Sequence, residues 1–430
     1  MSENMHRSTG LKVEVTLGWL LLIAFIFPIF MRSVGLLLEQ LLTMLLMGSA
    51  VFIISTTQLN VKKGAAKPIF WMLVFALLTL LSLIISGNDV IFRDVVELAK
   101  PVYLASFFMV SYLCKWRYPD FRRFTTMILI LFIGLGIWGI LEANVGVVNS
   151  VSGVMYKESR SSLQFKAIAS FIVPYVYGSL MVWPMWYFLL ASLFQKRRVL
   201  NIIGFLICFL AIVFSQSRTI ILSIAFSFFY FAVFAVFAKW LPKRNIVILV
   251  IYLFMALSGA VIIVFYEELR ILLGYMVKGL ELVVTSLQAG GFNNLLEQHQ
   301  SVGLRFAQIM FAVQNQMLIP LIGVGIGKAL FMPESFYALY LYRYGLIGIL
   351  IHVYIVVLVW SRSIQLAKAI HYDYRKREFS FFLATSLYMV SLPISYLSSS
   401  INDFTRTGFF FYVIAGLTFA LHRRLILGKL

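Results

Sequence analysis

The sequence has few charged residues and few cysteines. Only 12% of its 430 residues are charged, about half the share in a soluble globular domain, whereas 61% are hydrophobic. A chain with so little charge cannot cover a mostly water-exposed surface, so the composition excludes an ordinary soluble protein. The two cysteines, Cys114 and Cys208, both lie in apolar runs and provide neither a disulfide framework nor metal-ligand spacing. We therefore expect a polytopic membrane protein without a metal or other cofactor.

Long apolar runs make up most of the chain. A transmembrane helix needs about 20 mostly apolar residues, and this rule predicts an all-α fold with about twelve transmembrane helices. The first run follows a basic start but has no small-x-small cleavage pattern, so we predict a retained helix. The predicted spans are 15–31, 33–58, 68–86, 101–114, 124–141, 167–194, 199–215, 219–238, 245–265, 336–360, 381–400 and 408–426. Transmembrane helices 1–9 thus occupy 1–265, one long periplasmic loop 266–335, and helices 10–12 residues 336–430.

The positions of the basic residues predict the orientation of the chain. The net charge is +19, which in a soluble protein would suggest a nucleic-acid partner. Here the basic residues collect in alternate loops, such as 196–198, 239–244 and 375–377. Loops rich in Lys and Arg remain cytoplasmic. We therefore predict that both termini are cytoplasmic, that the long loop is on the other side, and that nucleic acid is not a partner.

Three segments on the outer side are longer than a turn. In 88–100, Ile91, Val95 and Leu98 share one helical face, which predicts a helix lying in the membrane interface. Residues 142–166 are predicted to form a loop. In the long segment, 267–287 and about 300–318 have helical periodicity, so we expect two helices there.

Charged residues in the outer half are the candidate functional groups, because an Arg at a helix centre costs about 2.5–3.5 kcal/mol and needs a partner or a water-filled cavity. Arg218, in SQSRT at a tight turn, is either an anion contact or an arginine reaching lipid headgroups. Arg305, on the second amphipathic piece, is either a ligand contact or a solvated arginine. Glu334, beside Ser335, is either an ordinary helix cap or a base that removes a proton from a hydroxyl group.

Other outer residues allow two interpretations each. Glu39 and Arg343 are predicted to lie at equal depth, about two turns inside the outer surface, which favours a structural ion pair; the alternative is a lipid-phosphate contact by Arg343. Tyr337 and Tyr340 either stack on sugar rings or belong to an interfacial aromatic belt. The run GVGIGK at 323–328 has no Ser or Thr after its lysine and follows no strand, so it is not a phosphate loop. We predict a hinge or close backbone packing there.

The order of these elements resembles that of a known superfamily. Arg218 in SQSRT comes first, then Arg305 in a long outer segment, then Gly-x-Gly, then the pair Glu334-Ser335, nine residues, and Gly-x-x-Gly. This order resembles the O-antigen polymerases (Wzy type) and O-antigen ligases. The similarity covers the second half of the chain in its motifs, and the whole chain in helix count and in the position of the long loop.

The resemblance implies a metal-independent, inverting glycosyl transfer at the periplasmic face of the bacterial inner membrane, with undecaprenyl-pyrophosphate-linked glycan as donor and acceptor. By motif position, Arg218 and Arg305 hold the pyrophosphate, and the position of the ligase histidine falls on Glu334, the candidate base. That departure from the ligase pattern favours a polymerase. Further substrate contacts are predicted at Arg160, as a third anion contact, and at Ser335, Tyr337, Tyr340 and Arg343. The other expected partners are the lipid bilayer and a chain-length regulator protein.

Two rival functions remain at this stage. A ligase would transfer the polymer to lipid A core, so it would need that acceptor. A lipid-linked oligosaccharide flippase, a different class of protein, would have about twelve helices but two similar halves and no long outer loop. This chain has no evident internal repeat and does have the long outer segment.

Overall fold

The computed structural model describes residues 13–30, 35–56, 63–86, 92–114, 116–156, 165–250, 252–253, 300–314, 321–325, 334–370 and 375–426. Within these ranges the chain is helical and contains no β-strand, which confirms the predicted all-α class. The helices are α1 (Val13–Ile26), α2 (Gly35–Thr56), α3 (Lys63–Ser86), α4 (Phe92–Leu113), α5 (Tyr118–Asn144), α6 (Gly146–Met155), α7 (Pro174–Phe194), α8 (Arg198–Ser215), α9 (Arg218–Phe237), α10 (Gln300–Gln314), α11 (Phe336–Ala369), α12 (Lys376–Ser395) and α13 (Thr405–Ile426).

Eight helices in the described ranges are long and apolar enough to cross a membrane. They are α2, α5, α7, α8, α9, α11, α12 and α13. A polytopic membrane protein is therefore confirmed, while the count of twelve spans stays a prediction. Most of the predicted ninth span, residues 254–265, and the predicted outer helix 267–287 lie outside the described residues.

The bundle has a centre made of α7, α12 and α13. Of the residues in their apolar stretches, 89%, 83% and 78% are buried, compared with 22% in α2. Aromatic side chains fill this centre: the ring of Trp183 in α7 lies 5.2 Å from Phe381 in α12 and 5.4 Å from Phe410 in α13. The Trp183 indole N–H donates to Thr385 Oγ1 at 3.1 Å, so the buried donor is satisfied. The peripheral helices direct apolar side chains outward, as expected for a surface that faces lipid.

Three segment boundaries differ from the predictions. A single helix, α4, passes through Pro101, where an interfacial helix and a separate short span were predicted. Proline removes one backbone hydrogen bond, but packing of α4 against α2, α3 and α13 holds the helix together. The predicted loop 142–166 begins with the end of α5, and then contains α6 after an extended Val145 (φ −115°). The predicted span 167–194 becomes helical only at Pro174.

The two ends of the bundle differ in character. At one end, the basic end, Arg377 donates to Thr126 Oγ1 at 2.9 Å and Arg424 donates to the Trp116 carbonyl. At the other, the site end, Thr43 and Thr405 are hydrogen-bonded at 3.0 Å. The candidate functional residues that the structure describes lie toward the site end.

Candidate functional site

Helix α11 folds back on itself at Gly345. This residue has non-helical dihedral angles, φ 64° and ψ −166°. The rings of Phe336 and His352 lie 4.7 Å apart, and those of Tyr340 and His352 lie 5.3 Å apart. Sixteen residues of a straight helix would rise about 24 Å, so these contacts require a first arm, 336–344, that packs back along a second arm, 346–369.

The fold-back overturns the predicted straight span over 336–360. Counting residues along a straight helix gives the wrong depth for Arg343, which lies two residues before the bend and is buried. A cation that interacts electrostatically with Glu39 is Arg406, a residue that the sequence analysis did not select. The pairing of Glu39 with Arg343 stays a prediction.

Residues 321–325 dock against the bend. The N–H groups of Val324 and Gly325 donate to the carbonyls of Tyr342 and Arg343, at 2.8 and 2.9 Å, and so satisfy acceptors that the broken helix releases. Gly323 has a positive φ of 73°, and a Cβ there would lie 2.6 Å from the Gly345 nitrogen. Close backbone packing, predicted for the glycine run, is confirmed at Gly323; Gly327 lies outside the described residues.

Gln308 holds the chain at the start of the first arm. Its side-chain oxygen accepts hydrogen bonds from the N–H groups of Glu334 and Ser335, at 3.1 and 3.2 Å. These are N-terminal amides that lack partners within a helix, so Gln308 caps α11 from α10, and it is buried in doing so. The ring of Phe311 on α10 lies 5.5 Å from that of Tyr342, which adds apolar packing to the same junction.

Arg305 and Glu334 form an ion pair at this junction. Arg305 Nη2 donates to Glu334 Oε2 at 2.9 Å, and Arg305 Nη1 donates to Gln308 Oε1 at 3.4 Å. The two charged side chains are 28% and 41% exposed, so solvent and a solute can reach the pair. The structure thus brings together two of the three predicted catalytic residues. We call Arg305, Gln308, Glu334 and Ser335 the Arg305 corner.

Tyr396, which directly follows α12, contacts the residues at the start of the first arm. Its carbonyl accepts a hydrogen bond from the Phe336 N–H at 3.1 Å and lies 3.5 Å from Ser335 Oγ. Its hydroxyl accepts a bond from Asn402 Nδ2 at 2.6 Å and contacts His352 Nε2 at 2.8 Å. His352 is therefore a hydrogen-bonded core residue, and the network fixes the start of the first arm.

Predicted substrate contacts lie at varied depths around this corner. Ser335 and Tyr340 are buried, and the Tyr340 hydroxyl donates to Asp403 Oδ1 at 2.7 Å. Tyr337 is half-buried and donates to the Pro393 carbonyl at 2.8 Å. Their roles as sugar contacts stay predictions. Arg160 lies outside the described residues.

Arg218 lies at the site end in a second basic position. The Ala167 N–H donates to the Phe214 carbonyl at 3.0 Å, which ties the segment carrying Lys166 to the end of α8, just before Arg218. Burial lowers the pKa of Lys166, and the like charge of Arg218 lowers it further, so these two cations are close neighbours. Helices α9 and α11 both pack against α12.

Sequence reasoning assigned no role to two buried charges at the site end, although Glu142 belongs to the charged residues predicted for the outer half. Glu142 Oε2 accepts the N–H groups of Ile168 and Ala169 at 2.8 and 2.7 Å. Arg406 donates to the carbonyls of Phe25, Phe27 and Ser170. Both side chains satisfy irregular backbone that connects helices. Arg406 lies in the first turn of α13, as Arg218 does in α9, so the position in sequence alone could not distinguish a structural arginine from a candidate ligand contact.

The chemistry available at the site end is that of guanidinium, ammonium, carboxylate and amide groups. Among the described residues, no group of three or more His, Cys, Asp or Glu side chains is placed to hold a metal ion. No protein-family model matches the chain, and no curated protein matches it. A functional assignment therefore depends on the geometry of the Arg305 corner and on the motif order described above.

Proposed function

We propose that the protein joins lipid-linked oligosaccharide repeat units at the periplasmic face of the inner membrane, as O-antigen polymerases do. An acceptor hydroxyl oxygen bonds to the anomeric carbon of the donor sugar with inversion. The bond from that carbon to the pyrophosphate oxygen breaks, and undecaprenyl pyrophosphate leaves. The hydroxyl proton passes to Glu334, so atoms and charge balance without a cofactor.

One observation carries this proposal. Arg305 and Glu334, 29 residues apart in sequence, meet at 2.9 Å at one end of a membrane helix bundle and stay partly exposed. Placing a charged pair near lipid costs free energy. A partly exposed pair whose backbone is held by hydrogen bonds is therefore better suited to binding a ligand than to stabilising the fold. The motif order supports the same residues independently of the geometry.

Arg305 has the donors that a pyrophosphate needs. A guanidinium carries five N–H donors, and the described contacts of Arg305 use its two terminal nitrogens for one carboxylate oxygen and one amide oxygen. Guanidinium groups bind phosphate oxygens with two parallel hydrogen bonds and remain charged. A well-placed donor to a charge that develops in the transition state contributes about 3–4 kcal/mol, which is the role proposed for Arg305 and, by motif position, for Arg218.

Glu334 is the proposed base because it is the carboxylate next to that cation. Its backbone is fixed by Gln308 and by the Ser400 N–H, which donates to the Glu334 carbonyl at 3.2 Å. A fixed backbone limits the positions that the carboxylate can occupy, which general base catalysis requires. Gln308 and Tyr396 act through Glu334 and Ser335, and are positioning residues.

The test is chain growth by the purified protein in proteoliposomes supplied with undecaprenyl-pyrophosphate-linked repeat units and no lipid A core. We expect a ladder of products, and we expect Arg305→Ala and Glu334→Gln each to lower the rate about 100-fold or more. Arg123→Ala, which removes an exposed charge from the basic end, is the matched control and should retain the ladder. A full ladder from well-folded Arg305→Ala protein would contradict the proposal.

The same preparation separates the rival functions. A ligase would form product only after lipid A core is added. A flippase would move the lipid-linked unit across the bilayer without forming a glycosidic bond. Chain growth without core excludes both.

A further inference from the structure

The cation proposed to bind pyrophosphate already binds an anion of the chain itself. Arg305 Nη2 donates to Glu334 Oε2 at 2.9 Å. Carboxylate and phosphate oxygens accept from a guanidinium in the same planar geometry. The Glu334 carboxylate therefore occupies a position on Arg305 that a phosphate oxygen would take.

The backbone of Glu334 is fixed, whereas its side chain has room to turn away. Gln308 accepts from the Glu334 N–H, and the Ser400 N–H donates to the Glu334 carbonyl. The side chain is 41% exposed, compared with 28% for that of Arg305. The carboxylate can rotate off Arg305 into solvent while the chain and its supports stay in place.

A pyrophosphate at Arg305 would bring negative charge close to the Glu334 carboxylate. Like charges at such distances repel, and the repulsion grows where water is partly excluded. The anion and Glu334 therefore compete for Arg305, and binding of one favours release of the other.

We propose that the pyrophosphate of the donor displaces Glu334 from Arg305, so that the carboxylate becomes available to an acceptor hydroxyl only when a donor is bound. This inference rests on the proposed function and adds a regulation to its site. In the absence of donor, Arg305 holds the base Glu334; once the donor binds, Arg305 holds the leaving group instead.

The competition is tested by binding, without any turnover. Inorganic pyrophosphate is titrated against the full-length protein in nanodiscs of neutral phosphatidylcholine by isothermal calorimetry. We expect Glu334→Gln, which keeps the shape of the side chain but removes the competing charge, to tighten binding about fivefold, the factor that corresponds to ~1 kcal/mol for a partly exposed pair. We expect Arg305→Ala to weaken binding tenfold or more. Glu39→Gln, which removes a carboxylate that interacts with Arg406 instead, should change the affinity less than twofold.

A second measurement follows the carboxylate directly. We expect saturating pyrophosphate to raise the rate at which a water-soluble carbodiimide labels Glu334, read by peptide mass spectrometry, about threefold or more. In Arg305→Ala, pyrophosphate should leave the labelling rate of Glu334 unchanged. Glu334→Gln and Arg305→Ala thus each remove one partner of the same ion pair.

The outcomes separate the inference from the function on which it rests. If Arg305→Ala binds pyrophosphate as the wild type does, the anion assignment of the proposed function fails, and the inference fails with it. If Arg305→Ala loses affinity but Glu334→Gln binds no more tightly than wild type, the competition is wrong and the anion site stands. If nanodiscs of phosphatidylglycerol abolish pyrophosphate binding, the site takes lipid headgroups and the inference is overturned.

Discussion

Two arginines at the same end of the bundle differ in almost every respect. Arg406 is 5% exposed, donates to three backbone carbonyls, and lies 5.6 Å from the centre of the Tyr156 ring. Arg305 has a side chain 28% exposed and contacts one carboxylate and one amide. Arg406 therefore joins segments of the fold, whereas Arg305 is placed where a solute can reach it.

The hydrogen-bond acceptors of an arginine indicate its role better than its position in the sequence does. Carbonyls that belong to irregular backbone must be satisfied in the folded state, so the arginine that satisfies them cannot leave. A single exposed carboxylate can be replaced by another anion at little cost. Variants that separate stability from ligand binding test this contrast.

The largest effect is expected from Arg406→Met. The substitution leaves the carbonyls of Phe25, Phe27 and Ser170 without their donor, and each unsatisfied buried group costs about 1–3 kcal/mol. We expect a loss of about 3–5 kcal/mol in the free energy of unfolding, measured as a lower melting temperature in detergent. Arg406→Lys should recover part of it. A melting temperature equal to wild type would show that Arg406 is not the structural member of the pair.

A smaller loss is expected from Gly345→Ala, which disturbs the backbone of the Arg305 corner while leaving its charges. An L-residue at φ 64° and ψ −166°, a region essentially restricted to glycine, costs about 1–3 kcal/mol, and the new Cβ would meet the Ile322 nitrogen at 2.5 Å. We expect about 2–3 kcal/mol of destabilisation. Gly134→Ala is the matched control, since nothing lies within 4 Å of a Cβ there. Equal melting temperatures for both variants would argue against the fold-back.

Arg305→Ala should affect stability much less. A partly exposed ion pair contributes about 0.2–1 kcal/mol, so we expect a shift in melting temperature far smaller than that of Arg406→Met. Because salt screens exposed charges, the shift should nearly vanish at about 1 M salt, where the screening length is ~3 Å. A salt-independent loss as large as that of Arg406→Met would remove the distinction between the two arginines.

The smallest effect concerns Lys166 and its neighbour Arg218. Burial and then Arg218 lower the pKa of Lys166, so its amine loses its proton at a lower pH than an ordinary lysine. The folded state then binds fewer protons than the unfolded state, and this group's contribution to stability rises with pH through that pKa. Arg218→Gln should raise the pKa and slow acylation of Lys166 at a fixed alkaline pH. Exposed Lys196 should react equally in both proteins; equal rates at Lys166 would place Arg218 elsewhere.

Part of this architecture could be predicted from the sequence. Apolar composition gave the helical membrane class, and the second amphipathic piece, predicted over about 300–318, is α10 (Gln300–Gln314). Arg305 and Glu334, both selected from the sequence as candidate site residues, are in contact, and their catalytic roles stay predictions. These predictions succeed because they depend on local patterns and on the cost of charge near lipid.

The remaining features depend on contacts that local patterns do not encode. Gly345 lies within an apolar run, so hydropathy extends a straight helix through it, although docking of residues 321–325 stabilises a bend. The local sequence predicts that a helix ends at Pro101, yet packing against other helices keeps α4 continuous across that residue. Arg406 lies in the first turn of a helix, as the candidate anion contact Arg218 does, and only its three carbonyl acceptors, brought from distant segments, reveal its structural role.

The fold-back of α11 also changes how a labelling scan of this region should be understood. Tyr340 and His352 are neighbours across the bend, so single-cysteine reporters at these two positions would sense nearly the same surroundings although twelve positions separate them. Reactivity plotted against residue number should form a mirror-symmetric profile about Gly345 rather than a steady gradient. A profile of that shape, measured without substrate, would show two packed helical arms where hydropathy alone predicts one straight helix.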